Sequence, residues 1–243
     1  MMTTYFSAAR HAWPSLLFLF PLIVTYELGV FSIGGNNPDS LRAGADVWLR
    51  KAFDHFGVQQ VFALPGVLLL FLFAMTLLNW SERPKRAWLI PIPMTLESVV
   101  LALGLWTIAW NFPAILAYFH APNLQIQAIP SDAQKYARLI GTIGTGIYEE
   151  VIFRLALFGG LCFLLRWAFI PAPIAVLLAG MTSAILFSVA HHIGSQGENF
   201  NQTVFLFRVA AGLFFAMVFA LRGLGIAVGT HIAYDLLVEI TAK

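Results

Sequence analysis

The sequence predicts an all-α fold, a polytopic transmembrane helical bundle, and three observations carry that prediction. Of 243 residues, 59% are hydrophobic and only 11% are charged, against about a quarter charged in soluble domains. The mean hydropathy is +0.79, and a water-soluble chain of this length could not enclose so much apolar surface. The apolar residues also gather in runs long enough to cross the hydrocarbon, which takes roughly 17–25 residues per helix.

Seven spans are expected, at about 12–33, 60–80, 96–119, 137–168, 171–192, 200–222 and 224–241, with six or eight as the neighbouring counts. Together they make residues 1–243 a single membrane domain. The first run has no small-residue cleavage site and is followed by further spans, so it reads as an anchor and not a removed signal peptide. The fourth is long enough to be a tilted helix or a short element leading into one. Between the runs lie "NNPDS", "SERPKRAWLIPIP" and "APNLQIQAIPSDAQK", whose proline and polar residues mark loops. Residues 39–57 differ from both classes. Leu41, Trp48, Ala52 and Phe56 recur at near-helical spacing while Arg42, Asp46, Arg50 and Asp54 fall elsewhere on the wheel. This predicts an amphipathic helix lying in the interface. Lysine and arginine divide evenly between the two sides, and the compact "RPKR" beside a span end favours an inside N-terminus.

The net charge of +2 and the lack of a basic stripe argue against a nucleic-acid partner. Cys162 is the single cysteine, so no intrachain disulfide can form. The informative residues are the ionisable ones at membrane depth, which are costly there and mark function or an internal pair. Glu27, Glu97 and Glu239 lie near span ends, where snorkelling would make them cheap. "YEEVIFR" at 148–154 is harder to excuse. Glu150 and Arg154 are four apart with the acid first, the favourable order for a helical ion pair. Glu149 projects about 100° away round the helix and is left over, as a candidate general base.

Two further clusters follow, "FSVAHH" closing the fifth span with His191 and "HIAYD" placing His231 and Asp235 on one face of the seventh. Successive spans alternate in direction. The first half of the fourth span and the second half of the fifth and seventh therefore lie on the same side of the bilayer. Glu149, His191, His231 and Asp235 are expected to converge there on one water-accessible cavity. No glycine-bounded serine elbow, HExxH helix or Gly-x-Gly-Asp run is present. Activation of a water by Glu149 with a histidine, or by a metal that they hold, is the chemistry that remains.

In this order and spacing, "EEVIFR" (EExxxR), "FSVAH" (FxxxH) and "HIAYD" (Hxxx(N/D)) resemble the CPBP intramembrane proteases, the CAAX-protease and bacteriocin-processing family also called Abi. A well-known relative is the type II CAAX prenyl endopeptidase. The stretch "FRVAAGLFFAMVFALRGLGIAVGTH" resembles the family's penultimate span and its glycine-rich run into the last histidine. The resemblance covers residues 137–241, the expected catalytic core, and the first 130 residues carry none of it.

The resemblance implies an endopeptidase acting on a membrane-associated protein or peptide within the lipid bilayer. Glu149 would be the catalytic carboxylate and His191 its partner in activating water. His231 and Asp235 would stabilise the oxyanion, Glu150 and Arg154 would support the site, and Phe187 would pack beside it. The expected mechanism requires no cofactor. A divalent metal such as zinc, if one is used, would take Glu149, His191 and His231, all competent ligands. Asp235 departs from relatives in which Asn is commoner. If the chain is bacterial, the cytoplasmic membrane is the expected location and peptide or protein maturation the expected role. Two other classes fit the composition, a non-enzymatic immunity or scaffold factor and a proton- or ion-coupled transporter, although no inverted repeat supports the latter.

Overall fold

A computed structural model describes residues 5–35, 38–118, 132–193 and 197–241. Most of these residues are helical, with no strand among them. The helices are α1 (Tyr5–Ala8), α2 (Ala12–Gly34), α3 (Gly44–His55), α4 (Ala63–Leu78), α5 (Pro91–Tyr118), α6 (Asp132–Glu150), α7 (Gly159–Trp167), α8 (Ala172–Ala190), α9 (Gln202–Arg222) and α10 (Leu224–Thr241). A π-helix, Val151–Phe158, joins α6 to α7 without a break.

Five helical stretches are long and apolar enough to cross a membrane: Ala12–Gly34, Ala87–Phe112, Ala172–Ala190, Gln202–Arg222 and Leu224–Thr241. The protein is an integral membrane protein. The span expected at 60–80 is the shorter apolar α4, of 16 residues. The one expected at 137–168 is the composite of α6, the π-helix and α7, and it starts earlier, at Asp132. The third span also starts earlier than 96, because Pro91 and Pro93 fit a first helical turn, where no N–H is needed. The loop expected at 121–135 falls mostly on residues 119–131, outside the described residues.

Local signals explain several boundaries. Asn201 caps α9, its side chain accepting from the N–H groups of Thr203 at 2.9 Å and Val204 at 3.2 Å. Gly223, at φ 85°, ends α9 and turns the chain directly into α10. Helix α10 is the centre of the bundle. Its residues Leu224 to Ile232 are buried, and it packs along α5, α6, α9 and α2. Gly146 permits that approach on the α6 side: a Cβ there would lie 2.4 Å from Ile232 Cγ1 and 3.1 Å from its backbone nitrogen. Close backbone contact through small residues is how helices associate where both lipid and protein are apolar.

Helix α3 occupies the place of the expected amphipathic helix but faces differently. Its charged side is turned inward: Ala45 and Asp46 are buried, as is Arg42 just before it, while Trp48 and Phe56 are 36% and 82% exposed. Asp46 accepts from Arg42 at 2.9 Å, Arg50 at 2.7 Å and the Tyr26 hydroxyl at 2.7 Å. Both arginines also reach Glu27, at 3.3 and 3.1 Å. Burial works against the charge on Arg42, but hydrogen bonding and attraction to Asp46, with Glu27 adding to them, outweigh it and raise its pKa.

Glu27 therefore does not snorkel. It is 6% exposed, and it is tied a third time by the Tyr148 hydroxyl, which donates to it at 3.2 Å. Glu97 is paired too, accepting from Arg222 at 2.9 Å and from the Tyr5 hydroxyl at 2.6 Å. Burial first, and then the neighbouring Glu97 carboxylate, push the Tyr5 phenol above its usual range.

Candidate active site

Glu149 and Glu150 are the last residues of α6, and the wider π-helical turn begins directly after them. Such segments often accompany functional sites because they reset which face the following residues present. One carbonyl of this segment has an outside partner: Ser183 on α8 donates its hydroxyl to the Phe153 carbonyl at 2.6 Å. Arg154, one turn on, is fully buried.

The structure brings the four residues singled out as catalytic candidates together. Glu149 Oε1 is 3.8 Å from His191 Nε2, and Glu149 Oε2 is 3.7 Å from His231 Nε2. Asp235 Oδ2 lies 3.6 Å from the same His231 nitrogen. The second nitrogen of each ring is committed elsewhere. His191 Nδ1 is 2.8 Å from the Phe187 carbonyl, which can only accept, so Nδ1 carries a proton and Nε2 faces the carboxylate. His231 Nδ1 is 2.8 Å from Glu150 Oε1 and donates to it in the same sense.

The supporting residues pack as a second layer. Glu150 lies between His231 and Arg154, whose Nε is 3.3 Å from its other oxygen. That distance makes an ion pair, yet neither this Glu150 oxygen nor any Arg154 nitrogen has a hydrogen bond of acceptable angle among the described residues. The contact is Coulombic and poorly directed. Aromatic faces supply what hydrogen bonds do not: the Arg154 guanidinium lies 4.6 Å from the Phe187 ring centre and 5.5 Å from that of Phe215. Phe187 meets both histidines edge-on, at 4.9 and 6.1 Å between ring centres. Phe215 stacks flat on His231, at 4.5 Å and 14°.

A cavity of about 590 Å³ opens on this cluster, lined by Glu149, His191, His231 and Asp235 together with Phe207, Arg208, Phe215 and Tyr234. Glu149 Oε2 is buried and makes no hydrogen bond among the described residues. Separations of 3.6–3.8 Å are too long for direct hydrogen bonds and suit a bridging water. By residue type Glu149, His191 and His231 could hold zinc. Among the described residues, however, no three His, Cys, Asp or Glu side chains form a group that could hold a metal ion.

Residues 133–237 match the model of the family described as type II CAAX prenyl endopeptidase Rce1-like. This segment is Rce1-like. No curated protein and no solved structure matches the chain. The matched segment contains the whole motif set from Glu149 to Asp235.

Sequence reasoning missed Phe215, which has no spacing signal separating it from the neighbouring Phe214 on α9. Arg208 was visible as a charge at membrane depth, but nothing in the sequence showed that it lines the cavity and pairs with Glu198 at 2.8 Å. The link from Glu27 to Tyr148, the residue beside Glu149, spans 121 positions and leaves no local trace.

Proposed function

We propose that the protein is an intramembrane endopeptidase that hydrolyses a peptide bond of a membrane-associated protein or peptide, with Glu149 activating the water. The observation that carries this reading is the position of the Glu149 carboxylate, between the Nε2 atoms of His191 and His231 in the wall of the cavity. The protease family of the Rce1-like segment supports it.

In this reading a water sits between Glu149 and His191. Glu149 takes one proton from it as the oxygen attacks the scissile carbonyl carbon. The carbonyl oxygen becomes an oxyanion and is met by an N–H on His231 Nε2. Glu150 fixes that ring through Nδ1, and Asp235 helps to keep the proton on Nε2. Collapse of the tetrahedral intermediate breaks the C–N bond, and Glu149 passes its proton to the leaving amine. Water adds across the bond and the carboxylate is regenerated. Phe187 and Phe215 hold the imidazoles in orientation and exclude other solvent from them. For a bacterial chain the reading places this activity in the cytoplasmic membrane.

The test is a proteomic comparison of membrane fractions from cells carrying the wild type or Glu149→Ala. Peptide termini that appear only with the wild type support hydrolysis. A cellular phenotype that survives Glu149→Ala, with no change in any terminus, favours the scaffold or immunity reading instead.

A further inference from the structure

Glu149 and His191 line two cavities. Besides the large one, a smaller cavity of about 220 Å³ is lined by the same pair, and the rest of its wall is made of different residues. Its wall includes Phe153 and Ile193, but a large part of it comes from α3, through Ala45, Trp48 and Lys51. Helix α3 lies outside residues 133–237, so this surface belongs to the part of the chain that the family match does not cover.

We propose that the small cavity is a peptide subsite, taking the stretch of substrate on one side of the scissile bond and favouring an acidic side chain there. The proposal rests on the protease reading above and adds a direction and a chemistry to it. An endopeptidase must let its substrate leave the reacting atoms both ways. Two cavities sharing Glu149 and His191 give one chain two exits. They also differ in character: the wall surface of the large one is mainly apolar, with Phe207, Phe215 and Tyr234 set among its charged residues, and the small one presents polar and apolar surface about equally. The wall also holds Glu198, whose carboxylate is taken up by Arg208 at 2.8 and 2.9 Å. Lys51 has no ion-pair partner among the described residues and can receive a carboxylate, while Trp48 offers a partly exposed ring for an apolar stem.

The anchoring of α3 argues independently that its position matters. Four charges, Glu27, Arg42, Asp46 and Arg50, are tied together beneath it. The Tyr148 hydroxyl joins that network one residue before Glu149. The wall of the small cavity and the candidate catalytic carboxylate are thereby held in one frame.

The experiment uses the purified full chain in detergent micelles and a series of quenched-fluorescent peptides of alanine and leucine, each with a single Glu or Lys at a varied position. At one position on one side of the cut, wild type should prefer Glu over Lys by about fivefold in kcat/KM, the scale of one rim charge pair. Lys51→Glu should reverse that preference and Lys51→Ala should erase it. Trp48→Ala should raise KM with kcat kept, whereas a merely structural role would lower the folded yield and kcat together. Binding of the same peptides to Glu149→Gln protein, read by fluorescence anisotropy, gives an arm independent of hydrolysis. Charge-dependent binding that follows Lys51, without cleavage by the wild type, would overturn the protease reading and leave the subsite standing. Cleavage or binding indifferent to Lys51→Glu at every position, or no binding of any peptide, would overturn the subsite.

Discussion

Replacing Arg154 by methionine removes a charge while keeping much of the side chain's volume. Arg154 and Glu150 are both fully buried, 3.3 Å apart. Removing one partner of a buried pair costs about 3–5 kcal/mol, because the other charge is left without compensation. Glu150 keeps its 2.8 Å hydrogen bond to His231, which sets the expected loss at the lower end, about 3 kcal/mol. Loss of the cation over Phe187 costs on the order of 1–2 kcal/mol. A methionine sulfur against the same rings recovers about 1 kcal/mol of that. Glu150→Gln should cost a similar amount by stranding Arg154 among the rings of Phe153, Phe187 and Phe215. The double variant, Glu150→Gln with Arg154→Met, leaves no net charge and should lose no more than either single, a coupling of about 3 kcal/mol between residues in contact. The assay is unfolding in mixed micelles followed by tryptophan fluorescence for all four proteins. A double variant as unstable as the sum of the singles would refute the reasoning, since the stranded charge would then not be the source of the cost.

Four further outcomes are expected. Glu149→Gln should lower peptide hydrolysis by a factor of about 10²–10⁴ with the unfolding midpoint unchanged; an equally active variant rules Glu149 out as the base. Asp235→Asn should retain more activity than Asp235→Ala, which should lose about a hundredfold, and a chelator should leave the wild type active; equal inactivity of both variants with chelator inactivation points to a metal instead. Asp46→Asn should cost about 3 kcal/mol in the same unfolding assay, because it withdraws the negative charge from the buried Arg42 and the partly buried Arg50; an unchanged protein would mean that the network does not hold α3. Gly146→Ala should cost about 1–3 kcal/mol through the clash with Ile232, and adding Ile232→Ala should recover part of it; no recovery would place the cost elsewhere.

Residues whose signals are local were legible in the sequence. The apolar runs marked the long helices, and the alternation of span directions brought Glu149, His191 and His231 to one side before any contact was known. The ion pair of Glu150 with Arg154 followed from a spacing of four. What stayed hidden depends on contacts between distant segments. Glu27 read as a snorkelling acid because its partners, Arg42, Arg50 and Tyr148, lie 15, 23 and 121 residues away. Helix α3 was legible as amphipathic, but hydrophobicity alone could not show that its charged face is the buried one, since that requires the partner carboxylate on α2. Phe215 became a site residue only because α9 crosses α10 at His231.

The π-helix between α6 and α7 also bears on how this helix can change in length. An α-helix that gains or loses one residue rotates everything beyond that point by about 100°, which would turn Phe158 away from Phe219 or Glu149 away from the histidines. A stretch in which each hydrogen bond closes over one extra residue behaves as slack already taken up, so the faces on either side of it are set independently of each other. Deleting a single residue within 151–158 would tighten the segment toward ordinary α geometry and need not shift the carboxylate or the α7 face. The same deletion a few residues earlier, between Gly146 and Glu149, has no slack to draw on and would move both. Along this one continuous helix, tolerance to length change is therefore concentrated in eight residues directly beside the site.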